Sequence, residues 1–400
     1  MSSEAVKPNR IFRTSGLALR FVRRLLGTRI HAEGIAHLTN QPTLFVVNHF
    51  TRLETFVMPY VLYINSGKQV RSLAHKSLFV GAFGEYLKHM GTLSTDAPMR
   101  NKTIISDLMK GTYPWIIYPE GVMVKNKDTI QNGRFVIHAE DRVGAPHTGA
   151  AVMALKSILF KDDFRRAVEK NDTEKIAFYK SALDVNSPED LSAFDTVIQP
   201  VNLTYYPIRP RDNLILGLAK RFVKNLPSRV SEELTIEGNI MMKGDIDVTF
   251  RPPIQVRDFI KKQHDLFKRL PLKNETRIDL LLRIMSRPLT NAMMREIYGA
   301  LTVNIDHLFA NVLIQYESER LSLFQIQASI WLAARYLLTK GIAVHRSLSE
   351  SNLDQLLSLE ECASFVDVFL LAAQEGLLTM EKGLWRIRKN LLKQPESFHE

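Results

Sequence analysis

Two residues five apart, His49 and Glu54, offer the chain its clearest means of moving a proton. An imidazole titrates near neutrality, and a carboxylate beside it holds the ring's tautomer and stabilises the imidazolium. On one continuous helix the pair would point about 140° apart, because residues advance about 100° each. A strand ending at Asn48-His49 and bending into a helix start would bring them together. The run LFVVNHFTRLETFVMPYVLY, residues 44–63, has that character: an apolar β-type stretch, a short turn, then a helical segment opening at Thr51-Arg52-Leu53-Glu54. A plainer reading stands beside it. Thr51-x-x-Glu54 has the spacing of a capping box, and His49 could simply end a strand.

The elements that would position this pair alternate in type. β-like runs fall at 43–47, 70–75, 113–118, 197–205 and 246–256, with helical sequence between most of them. That alternation predicts an α/β fold. Within it, Trp115-Ile116-Ile117-Tyr118-Pro119-Glu120-Gly121 reads as a buried strand stopped by Pro, with an acid and a flexible Gly at its exposed end. Strand ends followed by Gly-containing loops are where α/β proteins place substrate sites. His138 and His147 flank this region and read as packing or surface residues. The charged stretch 161–190 reads as a solvated helical excursion.

Four blocks in order resemble those of the glycerolipid acyltransferase family. They are Asn48-His49-x4-Glu54, Tyr118-Pro119-Glu120-Gly121, Thr148-Gly149-Ala150-Ala151 and Gln199-Pro200-Val201. The resemblance covers roughly residues 31–257. It implies a mixed-sheet α/β sandwich with His49 as the base and Glu54 as its orienting acid. It also implies that Glu120 and Gly121 bind a glycerol or glycerol-phosphate acceptor. Three departures stand out. Glu54 replaces the family's usual Asp, as in lipid A acyltransferases. Val122-Met123-Val124 stands where the family has Thr-Arg-Ser, leaving Lys125 or Lys127 to substitute for the missing arginine. Arg100 follows Gly91 three residues later than the family spacing; Arg100 and Lys125 are the phosphate contacts the resemblance leaves available.

The chemistry agrees with the residue types. A glycerol hydroxyl attacking a thioester needs a base for its proton, and no activated enzyme nucleophile. Consistently, the chain has no Gly-x-Ser-x-Gly elbow, P-loop, Gly-x-Gly-x-x-Gly or Cys/His metal spacing. The single cysteine, Cys362, excludes an internal disulfide and reads as structural.

The termini extend this body. In residues 1–30 seven Lys/Arg face one acid, Glu4, and Ala18, Phe21, Val22, Leu25 and Leu26 recur at helical spacing. This predicts a basic amphipathic helix, suited either to an anionic membrane surface or to its own domain. The net charge of +11, with further basic clusters at 220–224, 261–262 and 268–269, favours an anionic partner. No apolar run reaches the roughly 18 residues of a membrane span, and no signal peptide is expected. Residues 258–400 read as an α-helical C-terminal extension with three apolar stripes, ending in a basic group of Trp385, Arg386, Arg388, Lys389 and Lys393. A helical extension after Phe250-Arg251-Pro252-Pro253-Ile254 looks like the glycerol-3-phosphate acyltransferase branch.

The reading has three parts: a basic segment 1–30, an α/β acyltransferase domain 31–257 and a helical domain 258–400. It implies a peripheral enzyme on the cytoplasmic face of a membrane with anionic lipids, without cofactor. Acyl-CoA or acyl-carrier protein would donate to glycerol-3-phosphate or a lysophospholipid. A lipid A-type acyltransferase, suggested by Glu54, and a non-enzymatic lipid-binding scaffold are the rivals. Nucleic-acid binding has no recognisable module behind it.

Overall fold

The structure, a computed structural model, describes residues 8–124, 129–131, 133–138, 143–209, 228–241, 244–267, 274–358, 362–389 and 391. Eight strands form one mixed sheet: β1 (Arg29–Glu33), β2 (Thr43–Val47), β3 (Arg71–Ala74), β4 (Thr92–Ser94), β5 (Trp115–Ile117), β6 (Val197–Tyr206), β7 (Asp245–Phe250) and β8 (Ile254–Gln255). Their spatial order is β1-β7-β6-β2-β5-β3-β4, with β8 paired to β6. From β6 to β4 neighbouring strands run parallel; β7 is antiparallel to β6, and β1 is parallel to β7. Parallel strands need covered faces, which is why β2 and β6 are buried throughout.

Successive β2 side chains point to opposite faces and so belong to different cores. Leu44 and Val46 join Trp115 under α4 (Arg100–Lys110), α5 (Gly149–Glu169) and α6 (Thr173–Leu183). Phe45 and Val47 join Val201 and Val248 under α1 (Arg10–Leu26), α2 (Glu54–Ser66) and α7 (Ser228–Met241). Helix α3 (Gly81–His89) lies beside β4. Beyond the expected boundary at 258, α8 (Val256–Phe267) and α9 (Asn274–Gly299) place Ile260, Met285, Leu289 and Ile297 in the first of these cores.

The stretch 161–190 differs from its reading as a solvated excursion. Lys161, Asp163 and Phe164 are buried. The charges are admitted because they are bonded: Asp163 accepts from Tyr179 and Lys175, and Lys161 donates to the Phe194 carbonyl at 2.7 Å.

A third core is built by residues 305–387 together with Tyr206 at the end of β6. It comprises α10 (Ile305–Gln315), β9 (Arg320–Leu321), α11 (Leu323–Thr339), α12 (Ala363–Gln374), β10 (Leu378–Glu381) and β11 (Leu384–Ile387). The three strands form an antiparallel sheet in the order β9-β11-β10. The extension is therefore helical with a small sheet. Trp385 and Arg386, expected in a free basic end, sit in β11, where Trp385 meets the Phe369 ring edge-on at 4.8 Å and Arg386 pairs with Glu381 at 3.0 Å. Lys125, Lys127, Lys393 and the basic clusters at 220–224 and 268–269 lie outside the described residues.

Candidate active site

His49 and Glu54 meet at the C-terminal end of β2. Asn48 makes the bend possible. Its side-chain amide donates to the Leu203 carbonyl at 3.0 Å and accepts from the Leu203 N–H at 2.8 Å, prolonging the β2–β6 ladder after the backbone has left it. The chain then turns, and α2 begins at Glu54 itself. The pairing expected of Thr51 and Glu54 is present at this start, although the N-cap proper is Leu53, with no side-chain cap: the Glu54 carboxylate accepts from the Thr51 N–H at 2.9 Å. Thr51 Oγ1 does accept from the Leu53 N–H, at 3.1 Å.

Glu54 is fully buried. Its carboxylate accepts from the amides of Phe50 (3.2 Å) and Thr51 (2.9 Å), from the Tyr205 hydroxyl (2.7 Å), and lies 3.2 Å from His49 Nδ1. A buried carboxylate needs such compensation. Burial and the nearby Glu54 charge push the Tyr205 hydroxyl well above its ordinary pKa, so it stays a donor. The Tyr118 hydroxyl, itself buried although the residue is only partly so, is shifted upward for the same two reasons.

The His49 ring stacks on Tyr118, centroids 4.4 Å apart, and its side chain is 19% exposed. With Nδ1 toward Glu54, the proton-accepting nitrogen is Nε2, which has no hydrogen-bond partner among the described residues. The His49 backbone is held as firmly: its N–H donates to Glu120 Oε2 at 2.8 Å, and its carbonyl accepts from Val124 N–H at 2.7 Å.

Glu120, on the loop after β5, is fully buried. Its other oxygen accepts from the Tyr298 hydroxyl of α9, so the carboxylate ties the β2 and β5 ends to the C-terminal region. Burial first, and Glu120 second, raise the Tyr298 hydroxyl far above its ordinary value. The Tyr298 ring stacks against Phe135, 6.2 Å between centroids. Gly121 follows with φ +76°, and a Cβ there would stand 2.4 Å from the His147 ring. Glycine suits this position, since the backbone region strains any side chain and the exposed His147 ring would have to move to admit one.

The structure thus brings together His49, Glu54, Glu120 and Gly121. Arg100 it places elsewhere on the same end of the sheet. It opens α4 after β4, three strands from β2, or about 14 Å across the sheet. Its guanidinium donates to the Thr95 carbonyl and, at 3.2 Å, to Asn101. Tyr205 and Tyr298 were not singled out by sequence; each reaches the site from more than 150 residues along the chain. Among the described residues no group of His, Cys, Asp and Glu is arranged to hold a metal ion.

Fold and site together define an α/β protein with a carboxylate-steered histidine at the ends of its parallel strands. Residues 29–201 match the acyltransferase family model, and residues 238–380 match the model of the glycerol-3-phosphate acyltransferase C-terminal region. The chain belongs to the glycerolipid acyltransferase family, on its glycerol-3-phosphate acyltransferase branch. The comparison with curated proteins returns no match. Among solved structures, the chain is similar to the 1-acyl-sn-glycerophosphate acyltransferase PlsC from Thermotoga maritima. The identity is 10%, over 70% of this chain and 78% of that one, with a TM-score of 0.31, too low to bear on the argument.

Proposed function

We propose that this O-acyltransferase of phospholipid synthesis moves a fatty acyl group from acyl-CoA or acyl-carrier protein to a hydroxyl of glycerol-3-phosphate or a lysophospholipid, with His49 as general base. The observation that carries the reading is the His49–Glu54 pair, with Nδ1 committed to the carboxylate and Nε2 directed away from it. In the reaction the acceptor oxygen attacks the thioester carbonyl while Nε2 takes its proton. The new C–O bond forms, the C–S bond breaks, and the imidazolium returns the proton to the leaving thiolate. Glu54, anchored by two amides and Tyr205, keeps the ring in the productive tautomer and stabilises the imidazolium.

Glu120 and Gly121 shape the acceptor site in this scheme, Glu120 also fixing the His49 backbone and the Tyr298 hydroxyl with its two oxygens. The Gly121 turn lets substrate pass close to the backbone. Arg100, and Lys125 outside the described residues, remain the proposed phosphate contacts. The match to the glycerol-3-phosphate acyltransferase C-terminal region favours glycerol-3-phosphate as acceptor. The membrane part of the reading rests on α1, where Leu17 and Phe21 are 66% and 70% exposed on a helix that also exposes Arg20 and Arg24. No helix among the described residues is long and apolar enough to cross a membrane.

The test measures label transfer from palmitoyl-CoA and palmitoyl-carrier protein into glycerol-3-phosphate, lysophosphatidate and a lipid A precursor. His49→Ala should lose on the order of a hundredfold to ten-thousandfold in rate while remaining folded. Undiminished transfer by folded His49→Ala would sink the assignment.

A further inference from the structure

Helix α11 is apolar on two faces. Ile326, Ile330 and Ala334 are buried in the third core. At 100° per residue, Phe324, Ala328, Leu332 and Tyr336 lie on the diametrically opposite side. Phe324, Leu332 and Tyr336 are 63%, 61% and 60% exposed. Spacing of i, i+4, i+8 and i+12 makes them one stripe, about 18 Å long.

The residues around the stripe narrow what can cover it. From Leu323 to Lys340 the sequence contains no acid. Arg335 and Lys340 flank the stripe and lean over aromatic rings, Arg335 over Trp331 at 5.2 Å and Lys340 over Tyr336 at 5.6 Å. The other exposed positions, Gln325 and Thr339, are neutral. Apolar and aromatic side chains bordered by cations, with a single acid at the margin in Asp354, which accepts from Trp331 at 3.4 Å, match an acyl–headgroup boundary, where rings sit at headgroup depth and long cationic chains reach outward to phosphate. A second protein subunit fits less well. Three large apolar residues on one helix fall far short of the roughly 800 Å² per partner of a stable interface.

We infer that the exposed face of α11 is a second membrane-contact surface, lying on the phosphate-bearing surface of an anionic bilayer. The inference rests on the peripheral-membrane reading and deepens it. It gives the C-terminal region a lipid contact of its own, separate from α1.

Co-sedimentation of the full chain with vesicles of phosphatidylcholine, with and without phosphatidylglycerol, tests it. The triple variant Phe324→Ser, Leu332→Ser, Tyr336→Ser changes only exposed side chains, so its melting temperature and its turnover of a short-chain, water-soluble acyl-CoA should match wild type. Its partition onto phosphatidylglycerol vesicles should fall on the order of tenfold or more, since three exposed apolar side chains no longer enter lipid. The double variant Arg335→Ala, Lys340→Ala should lose much of the preference for anionic vesicles. Wild-type binding that the triple variant retains in full overturns the inference and leaves the membrane reading standing. A dimeric wild type made monomeric by the triple variant also overturns it, because the face would then pack on a second copy. Failure of wild type to bind any vesicle overturns both.

Discussion

At the scale of single residues, the site is a set of carboxylates satisfied from distant parts of the chain. Glu54 receives two amides of its own turn and the Tyr205 hydroxyl, leaving one oxygen facing His49. Removing that hydroxyl, Tyr205→Phe, takes about 1–3 kcal/mol of charge-assisted bonding from a buried carboxylate. The expected result is a fall in kcat of about tenfold with KM little changed, measured by steady-state acyl transfer. Glu54→Asp withdraws the carboxylate by a methylene from a helix that begins at residue 54 itself, so it cannot keep all four partners. We expect a larger loss than in Tyr205→Phe, again in kcat, which circular dichroism would show to be independent of unfolding. Tyr298→Phe tests the other arm. Glu120 would lose its α9 donor, with a several-fold fall in kcat and a loss of about 1–3 kcal/mol of stability in urea titration. His49 and Glu54 are legible from sequence because five residues and a strand-to-helix bend relate them. Tyr205 and Tyr298 are not, because no local spacing links a hydroxyl to a carboxylate more than 150 positions away.

At the scale of elements, the buried strands are the legible ones. β2 and β5 are almost wholly apolar because both faces of the sheet are covered, and β6 is buried along its whole length even at Gln199, Asn202 and Thr204. β1, with the sequence Arg-Ile-His-Ala-Glu, and the short β4 lie at the two edges, where tertiary pairing overrides a polar composition. The stretch 161–190 fails for a related reason: charge suggests solvent, but ion pairing allows burial. Asp163 holds Tyr179 and Lys175 of α6 against α5, with its side chain 8% exposed. Asp163→Ala should therefore destabilise by about 1–3 kcal/mol, unlike a solvated acid, and lower the calorimetric midpoint by several degrees. A change within about half a kcal/mol would restore the solvated reading.

At the scale of the whole molecule, the third core is joined to the sheet by charge as well as packing. Arg209, beside the end of β6, donates to Asp306 of α10 and Asp367 of α12. At the start of β7, buried Asp245 accepts from Arg29 at 2.7 Å, from His345 at 3.1 Å and from Arg346, which also donates to His31. Burial alone would raise the Asp245 carboxyl, but the bonds from His345, Arg346 and Arg29 outweigh it and hold it at about 2. Burial raises the neighbouring Asp247, so that group works in the opposite sense. The unfolded state takes up the Asp245 proton near 3.8, whereas the folded state resists until about 2. The Asp245 contribution is therefore complete above about pH 4 and is lost as pH falls toward 2. Sequence could not have disclosed this clasp, since Asp245 and His345 are 100 residues apart and each alone reads as an ordinary polar residue. Asp245→Asn isolates its share. At neutral pH the variant should be less stable by on the order of 2 kcal/mol, as neutralising Asp245 leaves half-buried Arg346 without its buried partner and weakens the bonds from His345 and Arg29. Between pH 4 and 2 the urea midpoints of variant and wild type should converge. Midpoints that stay parallel across that interval would place the joining of the third core to the sheet elsewhere, at Arg209 and the apolar contact of Tyr206.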